Sequence, residues 1–160
     1  MNTKVTKFLD GQNISYTLLP HTEPVYTMEG AAAQRGVQPE EMLKSILLRD
    51  KDRKYVMACV LGYGQLDPKK VRAFFPDGQY RRLTFASAEE ITEQIGYSKG
   101  AVAPFNLPDG IPLVIDERIK KLERFNTSTG DHMCGIELAT ADLLAVTNPF
   151  LADIQKAEKA

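Results

Sequence analysis

The chain has 160 residues, 20 Lys and Arg against 21 Asp and Glu, a formal net charge of −1, 43% hydrophobic and 26% charged residues. That length suffices for a buried core without disulfide or metal staples, and the expectation is one domain over residues 1–160. Near-neutral charge argues against a sequence-independent grip on a long nucleic-acid backbone, and no apolar run reaches the ~20 residues of a membrane helix.

Taken in chain order, residues 3–10 place Val5, Phe8 and Leu9 at helical spacing, with Gly11 as a stop. The segment MNTKVTKFLDGQN has too short an apolar stretch for a secretory signal. Ile14, Tyr16 and Leu18 alternate with polar residues in a strand pattern closed by Pro20. After the loop HTEPVYT, Thr27 is placed to cap a helix through MEGAAAQRG that ends at Gly36, and Pro39 with two glutamates suits another helical first turn. Ser45 to Leu48 reads as a strand, joined through Asp50-Lys51-Asp52-Arg53 to a partner strand YVMACVLG.

LDPKKVRAFF and SAEEITEQIG carry Asp-Pro and Ser helix starts. Ala101 to Phe105 and Leu113 to Ile115 are strand-like pieces broken by prolines. DERIKKLERF reads as a short helix, GIEL as a strand and TADLLAVT as a Thr-capped terminal helix, with the tail DIQKAEKA frayed. Helices interleaved with short strands and no internal repeat indicate an α/β or α+β domain with a mixed sheet.

Familiar catalytic signatures are missing from the sequence: there is no G-x-S-x-G, H-E-x-x-H, P-loop or G-x-G-x-x-G. The two histidines, His21 and His132, have no zinc-like spacing to cysteine or carboxylate, so no metal is expected. Cys59 and Cys134 form no CxxC or Cys/His cluster, which fits buried free thiols and a reducing cytoplasm. Basic residues cluster at Lys69, Lys70 and Arg72, at Arg81 and Arg82, and at Arg118, Lys120, Lys121 and Arg124; each cluster is either a solvated face or a phosphate contact.

Three stretches remain as candidates for chemistry. Lys44, in EMLKSILL, enters an apolar strand and shares its face with Ile46 and Leu48. It is either a snorkelling lysine paired with a nearby carboxylate or a charge held for a ligand. Gly100 and Pro104 bracket GAVAP, which is either a plain turn or a loop whose backbone approaches a ligand. Thr129-Gly130-Asp131-His132 either turns a hydroxyl, a carboxylate and an imidazole into one pocket or is a hydrophilic hairpin loop.

Together and in order, these stretches resemble the YbaK/ProX family of trans-editing aminoacyl-tRNA deacylases, free-standing relatives of the editing domain of bacterial prolyl-tRNA synthetase. The resemblance spans nearly the whole chain: YTLLPHTEPVYT with His21, AAAQRGVQPEEMLKSILLR with Lys44, IGYSKGAVAPF with a G-x-x-x-P loop, LVIDERI with Asp116, and NTSTGDHMCGIELATADLLAVT. It implies an α+β fold whose mixed, partly barrel-like sheet is surrounded by helices. The implied activity is hydrolysis of the ester linking a wrongly attached amino acid to the terminal adenosine of a tRNA, without a cofactor.

In that resemblance Lys44 matches the family's essential lysine, and Gly100, Ala101, Val102, Ala103 and Pro104 match the substrate-gripping loop. Gly130, Asp131, His132 and His21 are expected to line the pocket, with His132 positioning water or contacting the amine. The Gly-x-His pattern at 130–132 is closer to the alanine-editing ProX branch than to the cysteine-specific one. Alanine on proline tRNA is therefore the first expected substrate, with cysteine or serine behind it. The implied partners are the acceptor end of a mischarged tRNA and a prolyl-tRNA synthetase or elongation factor, with no membrane. The alternative is a catalytically inactive module that binds an aminoacyl or nucleotide ligand beside a synthetase.

Overall fold

Short-range chemistry sets most element boundaries in the computed structural model, which describes residues 2–157. Helix α1 (Lys4–Gly11) starts from a reciprocal capping box between Thr3 and Thr6. Strand β1 is Thr17–Pro20. Helix α2 (Met28–Arg35) is capped by Thr27, whose hydroxyl accepts from Gly30 N, and stops at Gly36 with φ 67°. Pro39–Glu41 forms a single 3₁₀ turn.

Strands β2 (Leu43–Arg49) and β3 (Tyr55–Leu61) form the expected hairpin. Its turn is held by the buried Asp50 carboxylate, which accepts from the backbone N–H groups of Asp52, Lys54 and Arg81. Helices α3 (Pro68–Phe74) and α4 (Ala88–Ile95) begin at the Asp67 and Ser87 caps; the two-residue β4 (Thr84–Phe85) lies between them. The remaining elements are β5 (Leu113–Asp116), a 3₁₀ turn Glu117–Lys121, β6 (Arg124–Ser128), β7 (Cys134–Ala139), α5 (Thr140–Thr147) and β8 (Phe150–Ala152).

The fold is mixed α/β, and its strands make two sheets rather than one. A five-stranded sheet runs β4-β2-β3-β5-β8, with parallel pairing on both sides of β5, and a three-stranded antiparallel sheet runs β1-β7-β6. The larger core lies between them, where Leu43, Leu47, Met57, Cys59 and Ile115 meet Phe125, Ile136 and Leu138, closed by α1 and α4 through Val5, Leu9, Ile91 and Ile95. The other face of the five-stranded sheet, with Leu48, Val56, Ala58 and Val60, packs under Val71 and Phe75. Because that sheet is buried on both faces, β3 reads as a continuous apolar run.

One seam joins the sheets. Met42 and Asn126 form an isolated parallel bridge, Asn126 Nδ2 donates to Glu41 O at 3.2 Å, and buried Thr127 Oγ1 donates to Leu43 O at 2.9 Å. Replacing Thr127 by the isosteric valine leaves the Leu43 carbonyl without that donor, so Thr127→Val is expected to cost about 1–3 kcal/mol in urea denaturation. A loss below 0.5 kcal/mol, on the order of a neutral surface change, would show that the seam does not depend on this bond.

Four sequence expectations are corrected. Residues 101–105 are buried but form no strand: Gly100 takes φ 88° and Pro104 has no N–H for a ladder. The loop is pinned instead by Tyr97 Oη donating to Phe105 O and by Ala101 N donating to Ser98 O. DERIKKLERF is a 3₁₀ turn that passes into β6, because Phe125 is drawn into the core. Thr140 is the first residue of α5 rather than its cap; its N–H goes to Glu123 O, and its buried hydroxyl has no partner among the described residues. The tail is anchored as far as Lys156, with Ile154 buried, Asp153 bound to Lys70 and Arg118, and Lys156 N donating to Gln65 O. Residues 158–160 of the expected frayed tail lie outside the described residues. Among the described residues no helix is long and apolar enough to cross a membrane.

Candidate active site

Between the β4 pairing and the seam, the edge of β2 has no strand beside it among the described residues, since β4 pairs only with Leu48 and Arg49. Leu47 O accepts from Ala86 N and Leu43 O accepts from Thr127 Oγ1 on this side. Alternation along an antiparallel strand therefore directs the N–H and C=O of Ser45 toward the same open edge. A cavity of about 250 Å³ lies there, lined by Met42 and by Leu43 to Ile46 of β2, by Val25 to Met28, by Ala31 and Arg35 of α2, and by Gly100, Val102 and Ser128.

Lys44 stands on this wall, half-buried, with Nζ donating to Gly64 O at 3.0 Å. Burial lowers its pKa and the charge of Glu29 works the other way. Among the described residues no carboxylate lies within 4.0 Å of it, so the paired, snorkelling alternative lacks its partner. Several cluster arginines and lysines do have one: Lys70, Arg81, Arg118 and Arg124 all reach carboxylates. Asp116 is likewise structural, bound by Arg118 and accepting from Ile154 N.

Gly100 and Val102 reach the same cavity as Lys44. His132 packs behind Gly100: a Cβ at position 100 would lie 3.3 Å from His132 Cε1. The imidazole bonds through Nδ1 to Val25 O at 3.0 Å and stacks at 4.7 Å under the exposed ring of Tyr26. The Val25 carbonyl can only accept, so Nδ1 carries the proton in this bond.

The other expected residues, His132 among them, are not on the lining of this cavity. Ala101 and Ala103 are buried in the loop, and Pro104 lines a separate depression with Phe8, Asn106 and Leu107. Asp131 turns its carboxylate to its own loop, accepting from Met133 N at 2.8 Å, and Gly130 supplies the φ of 95° that the turn needs. His21 is buried beneath the cavity wall rather than on it.

Arg35 was not among the sequence candidates. Its side chain lies across the outer face of the three-stranded sheet, directly over Gly135, where a Cβ would lie 2.5 Å from Cζ. Nε donates to His21 Nε2 at 3.1 Å and Nη1 to Asn126 Oδ1 at 3.0 Å. Because Arg35 can only donate, His21 Nε2 is an acceptor and Nδ1–H donates to His132 O at 2.8 Å. Burial pushes the Arg35 pKa down to about 10, which leaves it cationic at neutral pH. The only hint in the sequence was a helix-terminal arginine before Gly36, a placement that ordinarily reads as a solvated last turn.

Burial also holds His21 below its ordinary pKa; the His132 carbonyl opposes this and the charge of Arg35 adds to it. The unfolded chain therefore binds a proton near pH ~6.5 that the folded chain refuses, so stability is full above that pH and falls as the pH drops below it. The denaturation midpoint is expected to fall between pH 7 and 5.5, with a flatter profile in His21→Gln. Equal slopes in the two proteins would rule out His21 as the source. Asp50, Glu90 and Asp153 are held low and contribute at more acidic pH.

Neither cysteine is a nucleophile candidate. Both are buried; burial raises the Cys59 thiol to about 12 and the Cys134 thiol above its usual range. No group of three His, Cys, Asp or Glu suited to a metal occurs among the described residues. The arrangement therefore offers cations, backbone donors and shape.

Residues 22–146 match the family described as the aminoacyl-tRNA editing domain. The proline–tRNA ligase of Kosmotoga olearia is 34% identical over 107 residues, which are 67% of this chain and 18% of that ligase. YwhH of Bacillus subtilis, an uncharacterized protein, is 29% identical over 117 residues, 73% of this chain and 72% of its own length. Among solved structures, hypothetical protein APE2540 superimposes with a TM-score of 0.85 at 24% identity, covering 96% of this chain and 99% of that one. A candidate trans-editing enzyme for prolyl tRNA synthetase gives 0.78 at 22% identity, covering 96% and 95%. The match to the ligase thus spans less than a fifth of that protein's length.

Proposed function

This chain belongs to the aminoacyl-tRNA editing domain family, and from that premise we propose that it hydrolyses the ester joining a wrongly attached small amino acid to the 3′-terminal adenosine of a proline tRNA. Alanine is the first substrate, with cysteine and serine next. The observation that carries this reading is the meeting of Lys44 and Gly100 in one small cavity that has cations and backbone donors but no lining carboxylate and no reactive thiol.

An aminoacyl ester is already activated, so positioning and charge stabilisation can suffice. Lys44 holds the phosphate or the ester oxygen of the terminal nucleotide, and the backbone at Gly100 contacts the ester. The exposed Tyr26 ring at the mouth offers a stacking face to the terminal base. Water, aided by the free ribose hydroxyl, adds to the carbonyl carbon; the bond to the ribose oxygen breaks, and that oxygen takes a proton. His132 supports Gly100 and Tyr26 from behind.

A volume of about 250 Å³ favours a small side chain. Exclusion by size is a coarse filter, worth roughly 10–200-fold per methylene. The relation to proline–tRNA ligases supports the acceptor end of proline tRNA as the partner, with the synthetase as its source.

The test is release of amino acid from Ala-, Cys- and Ser-tRNA(Pro), with Pro-tRNA(Pro) as the cognate control. Alanine is expected to leave fastest and proline to stay. No release from any mischarged tRNA would sink the reading.

A further inference from the structure

Arg35 shares the cavity with Lys44, yet the two cations are held differently. Lys44 is a single ammonium on a flexible stem, tied by one bond to Gly64 O beside β2. Arg35 is a planar fork whose position is fixed from three sides. His21 and Asn126 take one N–H each, and the bare backbone of Gly135 forms the floor.

Its supports are themselves fixed, since His21 is bonded to His132 O and Asn126 to Glu41 O. Both direct acceptors are neutral, and no carboxylate lies within 4.0 Å among the described residues, so the charge is oriented without being cancelled. Two of the five guanidinium N–H donors are used by these side chains, which leaves donors for a ligand. A cation held in this way suits an anionic oxygen that appears during reaction, because little reorganisation is then required.

The order of entry assigns the two cations. The body of a tRNA stays outside a cavity of this size, so the aminoacyl end leads and the nearest phosphodiester follows at the rim. Arg35 is bonded to two buried side chains, His21 and Asn126, whereas Lys44 is bonded to the carbonyl of Gly64 on a half-buried turn, so Arg35 is the more interior of the pair. Resting on the deacylase reading above, we propose that Arg35 is a catalytic residue whose free N–H groups stabilise the oxyanion formed when water adds to the ester carbonyl, leaving the phosphate to Lys44.

The experiment measures kcat and KM separately for amino-acid release from Ala-tRNA(Pro) in native protein, Arg35→Gln and Arg35→Lys. In Arg35→Gln, kcat is expected to fall by ~10²–10³ with KM within about threefold, the signature of a contact made in the transition state. Arg35→Lys is expected to recover only part of the rate, since an ammonium lacks the fork. Added guanidinium ion is expected to raise the rate of Arg35→Ala while leaving native protein unchanged, a response that a purely structural role would not give.

If Arg35→Gln fails to fold, Asn126→Asp provides the alternative, because a carboxylate at Oδ1 cancels the charge with Arg35 still in place; kcat is again expected to drop. A native-like kcat in folded Arg35→Gln or Asn126→Asp overturns the proposal, as does a rise in KM at constant kcat, which would move Arg35 to ground-state phosphate binding. These outcomes are read against a native enzyme that turns over, so they are distinct from failure of the deacylase reading itself, in which native protein releases nothing.

Discussion

Lys44→Ala is expected to lower kcat/KM for amino-acid release by ~10²–10³, the scale of losing one charged donor from a partly desolvated site. The substitution removes an ammonium whose single recorded bond is to Gly64 O, and it breaks no ion pair within 4.0 Å among the described residues. Ile46 and Leu48 on the same face, and Val56, Ala58 and Val60 across the hairpin, keep their packing under α3. Stability should therefore change by less than about 1 kcal/mol. Urea denaturation and initial rates on the same preparation separate the two effects. Native rates in Lys44→Ala would remove this lysine from the site, and a loss of rate matched by a collapse in stability would make it structural.

Gly135→Ala is expected to damage both stability and turnover through one methyl group. Gly135 has no left-handed backbone requirement, so β7 itself accepts alanine. The conflict is with Arg35, whose Cζ and Cδ would lie 2.5 and 2.7 Å from the new Cβ. The guanidinium must leave its seat and give up His21 and Asn126. Overpacking of this kind costs about 1–3 kcal/mol, and kcat should fall as it does in Arg35→Gln.

A double-mutant cycle identifies the cause. With Arg35→Ala in the same chain the three atoms nearest the new methyl are gone, so Gly135→Ala should be far less destabilising there than in the native background. Equal costs in the two backgrounds would mean that the methyl disturbs something other than Arg35.

The readable parts of the fold were those governed by neighbours in sequence. Thr27 and Gly36 bound α2, Ser87 and Gly96 bound α4, and Asp67 starts α3, because a cap needs only a side-chain oxygen or a left-handed residue at the right position. The β2–β3 hairpin was legible from two apolar runs around a polar turn. Strands whose reason for existing is a distant partner were not: β4 forms against Leu48 and Arg49, β8 against Val114 to Asp116, and β6 against β7 and the seam. No local period marks a two- or three-residue strand.

The candidate site divides in the same way. A lysine at the head of an apolar strand and a Gly-to-Pro loop stood out from the sequence because each breaks a local rule, and Lys44, Gly100 and Val102 line one cavity. Arg35 breaks no local rule, since a basic residue in the last turn of a helix before glycine is ordinary. Its burial depends on Gly135 at the far end of the chain, and its orientation on His21 and Asn126 from two further segments. The sequence by itself determined the helix caps, the central hairpin and the two features that draw attention to Lys44 and Gly100, since those follow from backbone preference and side-chain period over a few residues. Tertiary structure alone decided that one edge of β2 stays open, that two sheets meet at Asn126 and Thr127, and that a second cation is held without a counter-charge among the described residues, since each needs groups from separate segments, 84 to 91 positions apart at the seam and between Arg35 and Asn126.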